Sequence, residues 1–249
     1  MSKQNIYDNE IFFNGYCSLR ENDDSANNLE EKPAIFSMLG DVKGKSVIDL
    51  GCGYGENCKA FSEMGAERIV GIDISRKMLE LAKKENCAQN IHYLNMPMEN
   101  IRSLDDKFDI AVSSLALHYI RGYDELIYDV FSLLKPGGIF LFSQEHPLTT
   151  APVDGAKWIK NEDGSVDHYR LADYARAGER KVTWFVDDVV KYHRTFSQLI
   201  NGLVRSGFVI LEMEEPVASQ ETIQRLPQYG KDLHKPNFLM IKAKKLSSV

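Results

Sequence analysis

The sequence predicts an α/β protein built on a doubly wound, mostly parallel sheet, with an antiparallel hairpin at one edge. Three observations carry this. Short β-prone runs alternate with helical stretches from residue 45 to 143, a rhythm that implies right-handed βαβ units. A glycine-rich turn stands between the first strand and the first helix of that series. Two further strand-like runs, 208–214 (FVILEME) and 238–245 (FLMIKAKK), close the chain, and the Lys-rich second run suits a sheet edge.

Taken in order, KSVIDL (45–50) is an apolar run between Lys43-Gly44 and Gly51, the pattern of a buried strand. Residues 55–64 read as a helix with Ala60, Phe61 and Met64 on one side, and RIVGID (68–73) is the second strand. Ser75 has the residue type and position of an N-cap for a helix to about Glu85, whose apolar face holds Met78, Leu79, Leu81 and Ala82. Residues 91–95 and 108–114 are further strands. A helix at about 123–134 ends at Lys135-Pro136-Gly137-Gly138, because proline cannot continue it and glycine supplies the unusual backbone angles. IFLFS (139–143) follows as a strand. Residues 144–186 then lose the rhythm and are rich in aromatic and charged side chains, as in a cap or insertion. A long helix is expected from Asp187 to Ser206, with Val189, His193, Phe196, Ile200 and Leu203 on one apolar stripe.

Across the 249 residues, 30 Lys and Arg face 36 Asp and Glu, a net charge of −6. Such a mixed, mildly acidic surface offers no broad attraction to phosphate backbones, so nucleic acid is not the expected partner. The opening MSKQNIYDNE has no apolar run of signal-peptide type, and no stretch approaches the roughly 20 apolar residues that span a bilayer. Cys17, Cys52, Cys58 and Cys87 show no CxxC spacing and no metal-ligand pattern, as expected of reduced thiols in a cytoplasmic protein. No metal is expected, and nothing in the sequence demands more than a monomer or weak homodimer.

The most informative stretch is VIDLGCGYGEN (47–57). Glycines at 51, 53 and 55 let the chain turn sharply and bring backbone N–H groups close to a ligand. The dinucleotide fingerprint G-x-G-x-x-G needs glycine at position 56, where Glu56 stands instead. A carboxylate at that helix start, with Asp49 just before the loop, would repel a pyrophosphate. The same charges suit a ligand carrying an amine and a sulfonium. Asp73, at the end of the second strand, has the spacing of an acidic residue that accepts hydrogen bonds from a ribose diol, with Ile74 beside it against a base. As a single Asp at a strand end, it also fits a simple helix cap.

VIDLGCGYG, IVGIDIS (69–75) and LLKPGGIFLFS (133–143) together resemble the class I S-adenosylmethionine (SAM) dependent methyltransferase family, chiefly over residues 45–145. The resemblance implies a Rossmann-like, seven-stranded sheet and SAM as cofactor, held by Asp49, Gly51, Cys52, Gly53, Asp73 and Ile74. It implies an adenine contact in the loop after the third strand, which here is MPMENI, pointing to Met98 and Glu99; Pro97 replaces the Asp that many members carry. It places Ser113 and Ser114 near the methionine part of the cofactor. FFNGY (12–16) resembles an aromatic lid, in which Phe12, Phe13 or Tyr16 lies over the ligand or packs in the core. The implied organisation is a lid segment (1–32), a SAM-binding core (33–143), a cap for substrate (144–186) and the rest of the core (187–249).

Methyl transfer needs positioning, desolvation and sometimes proton removal, so no obligatory catalytic side chain marks it. His118 and His146 follow the fourth and fifth strands, beside Tyr119 and Glu145, and His193 sits in KYHRT. Each histidine is a candidate general base or a hydrogen-bonded structural group. Trp158, Tyr169, Tyr174 and Trp184 can enclose a small organic acceptor, and Arg180 and Arg194 can recognise a carboxylate on it. The acceptor itself is not legible. Two other readings stay open at this stage: an NAD(P)-dependent oxidoreductase and a non-catalytic SAM-binding protein.

Overall fold

The computed structural model describes residues 4–154 and 158–247. The first three residues of the expected lid and residues 155–157 of the expected cap lie outside it. A single 3-10 turn (Ile6–Asp8) leads into α1 (Glu10–Arg20), which Asn9 caps by accepting the Phe12 N–H. A wide helical turn follows, in which the Lys32 N–H bonds back to Asn27 O, and it runs into α2 (Lys32–Leu39). Then come β1 (Ser46–Leu50), α3 (Glu56–Glu63), β2 (Arg68–Asp73), α4 (Arg76–Glu85), β3 (Ile91–Asn95), β4 (Phe108–Ser113), α5 (Tyr123–Leu133) and β5 (Leu134–Glu145). The remainder is α6 (Pro147–Thr150), β6 (Trp158–Lys160), β7 (Val166–Tyr169), β8 (Gly178–Trp184), β9 (Val186–His193), α7 (Phe196–Arg205), β10 (Phe208–Glu214), α8 (Gln220–Arg225) and β11 (Phe238–Lys245).

Seven strands form one sheet in the order β10-β11-β5-β4-β1-β2-β3. β1 through β5 pair in parallel, and β11 pairs antiparallel with both β5 and β10. Every residue of β1 is buried, as expected for a central strand covered on both faces. Its alternating side chains feed two cores. Ile48 and Leu50 pack towards α5 and α7, whereas Val47 packs towards α2 and α3. The chain leaves β1 towards β2 on one side and later returns to β4 on the other. That reversal opens a crevice at the carboxyl ends of β1 and β4, where ligands bind in open α/β sheets.

One expectation needs correction. The helix from Asp187 to Ser206 is a strand, β9, followed by a shorter helix. Val189, Lys191 and His193 are buried at alternate positions, a period of two, and β-branched residues favour the extended form. Thr195 and Gln198 form a reciprocal capping box that starts α7 at Phe196. His193 therefore ends a strand and lies on no helical stripe. The two closing strands stand at the sheet edge as an antiparallel pair, as expected, with β10 outermost and the Lys-rich β11 between it and β5. Its lysines are engaged: Lys245 donates to Phe131 O and Leu134 O, and Lys242 to Met38 O. The irregular stretch after residue 143 contains two antiparallel hairpins, β6–β7 and β8–β9.

Candidate active site

A cleft of about 1350 Å³ opens at the switch point between β1 and β4. Its floor is the turn after β1. Gly51 N and Cys52 N both donate to Ile72 O at 2.9 Å, which pins the turn to β2. Gly51 has φ +78°, and a Cβ on it would lie 2.6 Å from Ala116 Cβ, so only glycine fits there. Gly53 has φ +55° and faces open space, so its backbone is bare to the cleft. Asp73, at the end of β2, takes the Gly53 N–H on Oδ2 at 2.9 Å and the Ser75 N–H on Oδ1 at 2.8 Å. Burial pushes its pKa up to about 6, against the lowering effect of those N–H groups.

Of the residues singled out in the sequence, Tyr16, Gly51, Cys52, Gly53, Asp73, Ile74, Met98, Glu99, Ser114 and His118 line the cleft. Four others do not. Asp49 is buried behind the turn, where Oδ2 accepts the Cys58 thiol at 3.5 Å, and burial raises its pKa to about 7. Ser113 donates to Leu50 O at 2.8 Å inside the sheet. His146 caps α6, with Nδ1 accepting the Leu148 N–H while Nε2 donates to Glu215 Oε1 at 2.9 Å. His193 accepts from Thr150 Oγ1 on Nδ1 and donates from Nε2 to Tyr174 O. With both ring nitrogens engaged away from the cleft, these two histidines act as structural hydrogen-bonding groups.

Both candidate arginines are likewise committed. Arg180 donates to the carbonyls of Ala151, Arg176, Gly178 and Glu179. Arg194 donates to Ile120 O and Arg121 O and lies over the Tyr123 ring. Trp158 and Tyr169 face each other across the β6–β7 hairpin, and Tyr174 bonds the start of α7. Phe12 is fully buried against Trp184 and Phe185, so it is packing rather than a wall of the cleft; Phe13 does not line it either.

The structure adds residues that the sequence did not disclose. Arg20 reaches the cleft from α1 and donates to Tyr16 Oη at 2.8 Å and to Asn27. Glu31, fully buried on the wide turn before α2, accepts the Ser114 hydroxyl at 2.7 Å, the Ser143 hydroxyl and the Asn27 side-chain amide N–H. Burial raises its pKa despite these donors. Wide helical turns of this kind occur often at functional sites. At the opposite end, Tyr7, Tyr119, His118, Glu145 and Trp184 form the walls. Burial pushes the His118 pKa down to about 4, so the ring is neutral near pH 7.

Fold and site together define an α/β core with a ligand-sized cleft at its switch point. A methyltransferase-domain family model matches residues 48–142. An uncharacterized protein of Haemophilus influenzae is 38% identical over 98% of both chains. An SAM-dependent methyltransferase from Mesorhizobium loti superimposes with a TM-score of 0.80 at 36% identity, covering 88% of this chain and 98% of that one. A Listeria monocytogenes protein assigned to the same class gives 0.80 at 35%, covering 86% and 96%. The chain belongs to the SAM-dependent methyltransferase family. It is a methyltransferase, and its cofactor is SAM; the oxidoreductase reading finds no support among these relatives.

Proposed function

We propose that the chain methylates a small organic acceptor, with cofactor and acceptor side by side in the one cleft. The observation that carries this is the cleft itself. At about 1350 Å³ it exceeds the usual 300–1,000 Å³ of a single-ligand pocket, and Tyr7, Tyr16, Tyr119 and Trp184 are among its lining side chains. The glycine turn and Asp73 fit an adenosyl group: a backbone without a Cβ at Gly53, and a carboxylate with lone pairs left for ribose hydroxyls.

In this reading Asp73 takes the ribose, Ile74, Met98 and Glu99 flank the adenine, and Arg20 holds the methionine carboxylate near Ser114 and Glu31. SAM supplies an electrophilic methyl group on a sulfonium. The protein's part is to align the acceptor and exclude water, which in well-oriented systems supplies up to about 7–11 kcal/mol of the barrier. Residues 1–32 serve as the lid, 33–143 as the cofactor core, 144–186 as the cap, and 187–249 complete the sheet. The chain works as a monomer or weak homodimer in the cytoplasm, without nucleic acid as a partner. Among the described residues no helix is long and apolar enough to cross a membrane.

Incubating the protein with methyl-labelled SAM and a fractionated cell extract tests this. Label is expected in the fraction below about 1 kDa, the size that such pockets enclose. Label in protein or RNA instead contradicts the small-molecule reading.

A further inference from the structure

At the acceptor end of the cleft one lining carboxylate, Glu145, has its charge met internally. Lys191, on β9 and 7% exposed, pairs with Glu145 at the end of β5. Its Nζ lies 4.9 Å from the Trp184 ring centroid and 5.9 Å from that of Tyr119. The ammonium thus already fills the position over these rings that a cationic ligand would seek. His118 completes the group. Its Nδ1 faces the Glu145 N–H at 3.4 Å, which assigns the ring proton to Nε2.

The charges therefore cancel. The Glu145 carboxyl is held below the usual range, because Lys191 outweighs the upward push of burial. The other cations of this region are bound elsewhere: Arg180 and Arg194 to carbonyls, and Lys235 to Thr149 and Asn237. Arg121 at the rim has an interaction of its own. Glu179 lines the outer wall but is exposed, so water solvates it. A charged acceptor placed against Glu145 and Lys191 would leave one buried charge uncompensated, which is costly. The pair nevertheless retains hydrogen-bonding capacity. An ammonium has three donors and a carboxylate two acceptor oxygens, and each uses one on the other. The Tyr7, Tyr119 and Trp184 rings favour a flat apolar body.

From these features we infer that Glu145, Lys191 and His118 select an uncharged, planar ring acceptor that offers a hydrogen-bond donor beside a hydrogen-bond acceptor. Glu145 takes the donor, the His118 Nε2–H meets the acceptor atom, and Lys191 cancels the Glu145 charge. This inference rests on the small-molecule reading above and assigns it a substrate class.

Three quinolines of matched shape test it by calorimetry on the protein saturated with S-adenosylhomocysteine (SAH). They are 2-hydroxyquinoline (uncharged, with N–H beside C=O), quinoline-2-carboxylate and quinolin-2-ylmethylammonium. The native protein is expected to bind the first at least about tenfold tighter than either charged compound. Lys191→Met, which leaves Glu145 alone, should turn the preference to the ammonium compound. Glu145→Gln should turn it to the carboxylate. SAH affinity, a measure of folding and of the cofactor site, should stay within about threefold in both variants. A native preference for either charged compound overturns the inference, as does binding of none of the three or a preference that the variants leave unchanged. If the native protein fails to bind SAH, the failure belongs to the underlying reading of the cleft, and the inference falls with it.

Discussion

The backbone N–H of Gly53 donates to Asp73 Oδ2 at 2.9 Å, joining the turn after β1 to the end of β2. Two sequence features twenty residues apart thus form one surface, a bare backbone beside a buried carboxylate. The two glycines of that turn should respond differently to an added methyl group. Gly51→Ala meets Ala116 and a positive φ, and should lower stability by at least about 1–2 kcal/mol. Gly53→Ala meets open space, so denaturant titration should show only the backbone penalty, about 1 kcal/mol, while SAH affinity falls more steeply. Equal stability losses in the two variants contradict this division.

Asp8 anchors the N-terminal segment to the start of α4, just after β2. Its Oδ1 accepts the Ser75 hydroxyl at 2.6 Å and the Lys77 N–H at 3.2 Å, at the start of α4. Ser75 in turn accepts the Met78 N–H. Burial opposes the charge on Asp8, but these donors and Asn5 hold its carboxyl below the usual range. Asp8→Ala should cost about 1–2 kcal/mol and expose residues before Arg20 to limited proteolysis. A cleavage pattern identical to that of the native protein argues against the anchor.

His118 and Asp49 give pH signatures of opposite sign. His118 has its pKa lowered from 6.5 to about 4, so the unfolded chain binds more protons between those values. Its contribution to stability is complete above pH 6.5 and is lost as pH falls towards 4, up to about 3 kcal/mol. His118→Gln should flatten the denaturation free energy across that window. Asp49, raised by burial from 3.8 to about 7, behaves in reverse: stability is lost as pH rises above 3.8, and the loss is complete by about pH 7. Asp49→Asn should therefore hold stability better than the native chain at pH 8. Parallel pH profiles for native and variant proteins contradict both assignments.

Much of the core was legible because local pattern and tertiary role agree there. Val47, Ile48 and Leu50 give KSVIDL the apolar content that a doubly covered strand buries, and Ser75 caps α4 as its residue type predicts. The glycine turn carries its geometry in its composition. The β9 strand was misread because Val189, His193, Phe196, Ile200 and Leu203 also fit a helical spacing; the Thr195 capping box that divides them is a local signal, visible only once the helix start is sought there. Asp49 and His193 were misplaced for another reason. A sequence gives the residue type but not which side of a turn or strand the side chain takes. Glu31 was missed because adjacent acidic residues before a helix ordinarily face water, and only the packing of Ser114 and Ser143 against it makes the burial evident.

Calorimetric titration of SAH into the native protein and into Asp73→Ala bears most directly on the proposed cofactor site. Removing a carboxylate that accepts hydrogen bonds from ribose hydroxyls should weaken binding by about 2–3 kcal/mol, on the order of 30- to 150-fold. Undiminished affinity in a folded Asp73→Ala protein would contradict the account.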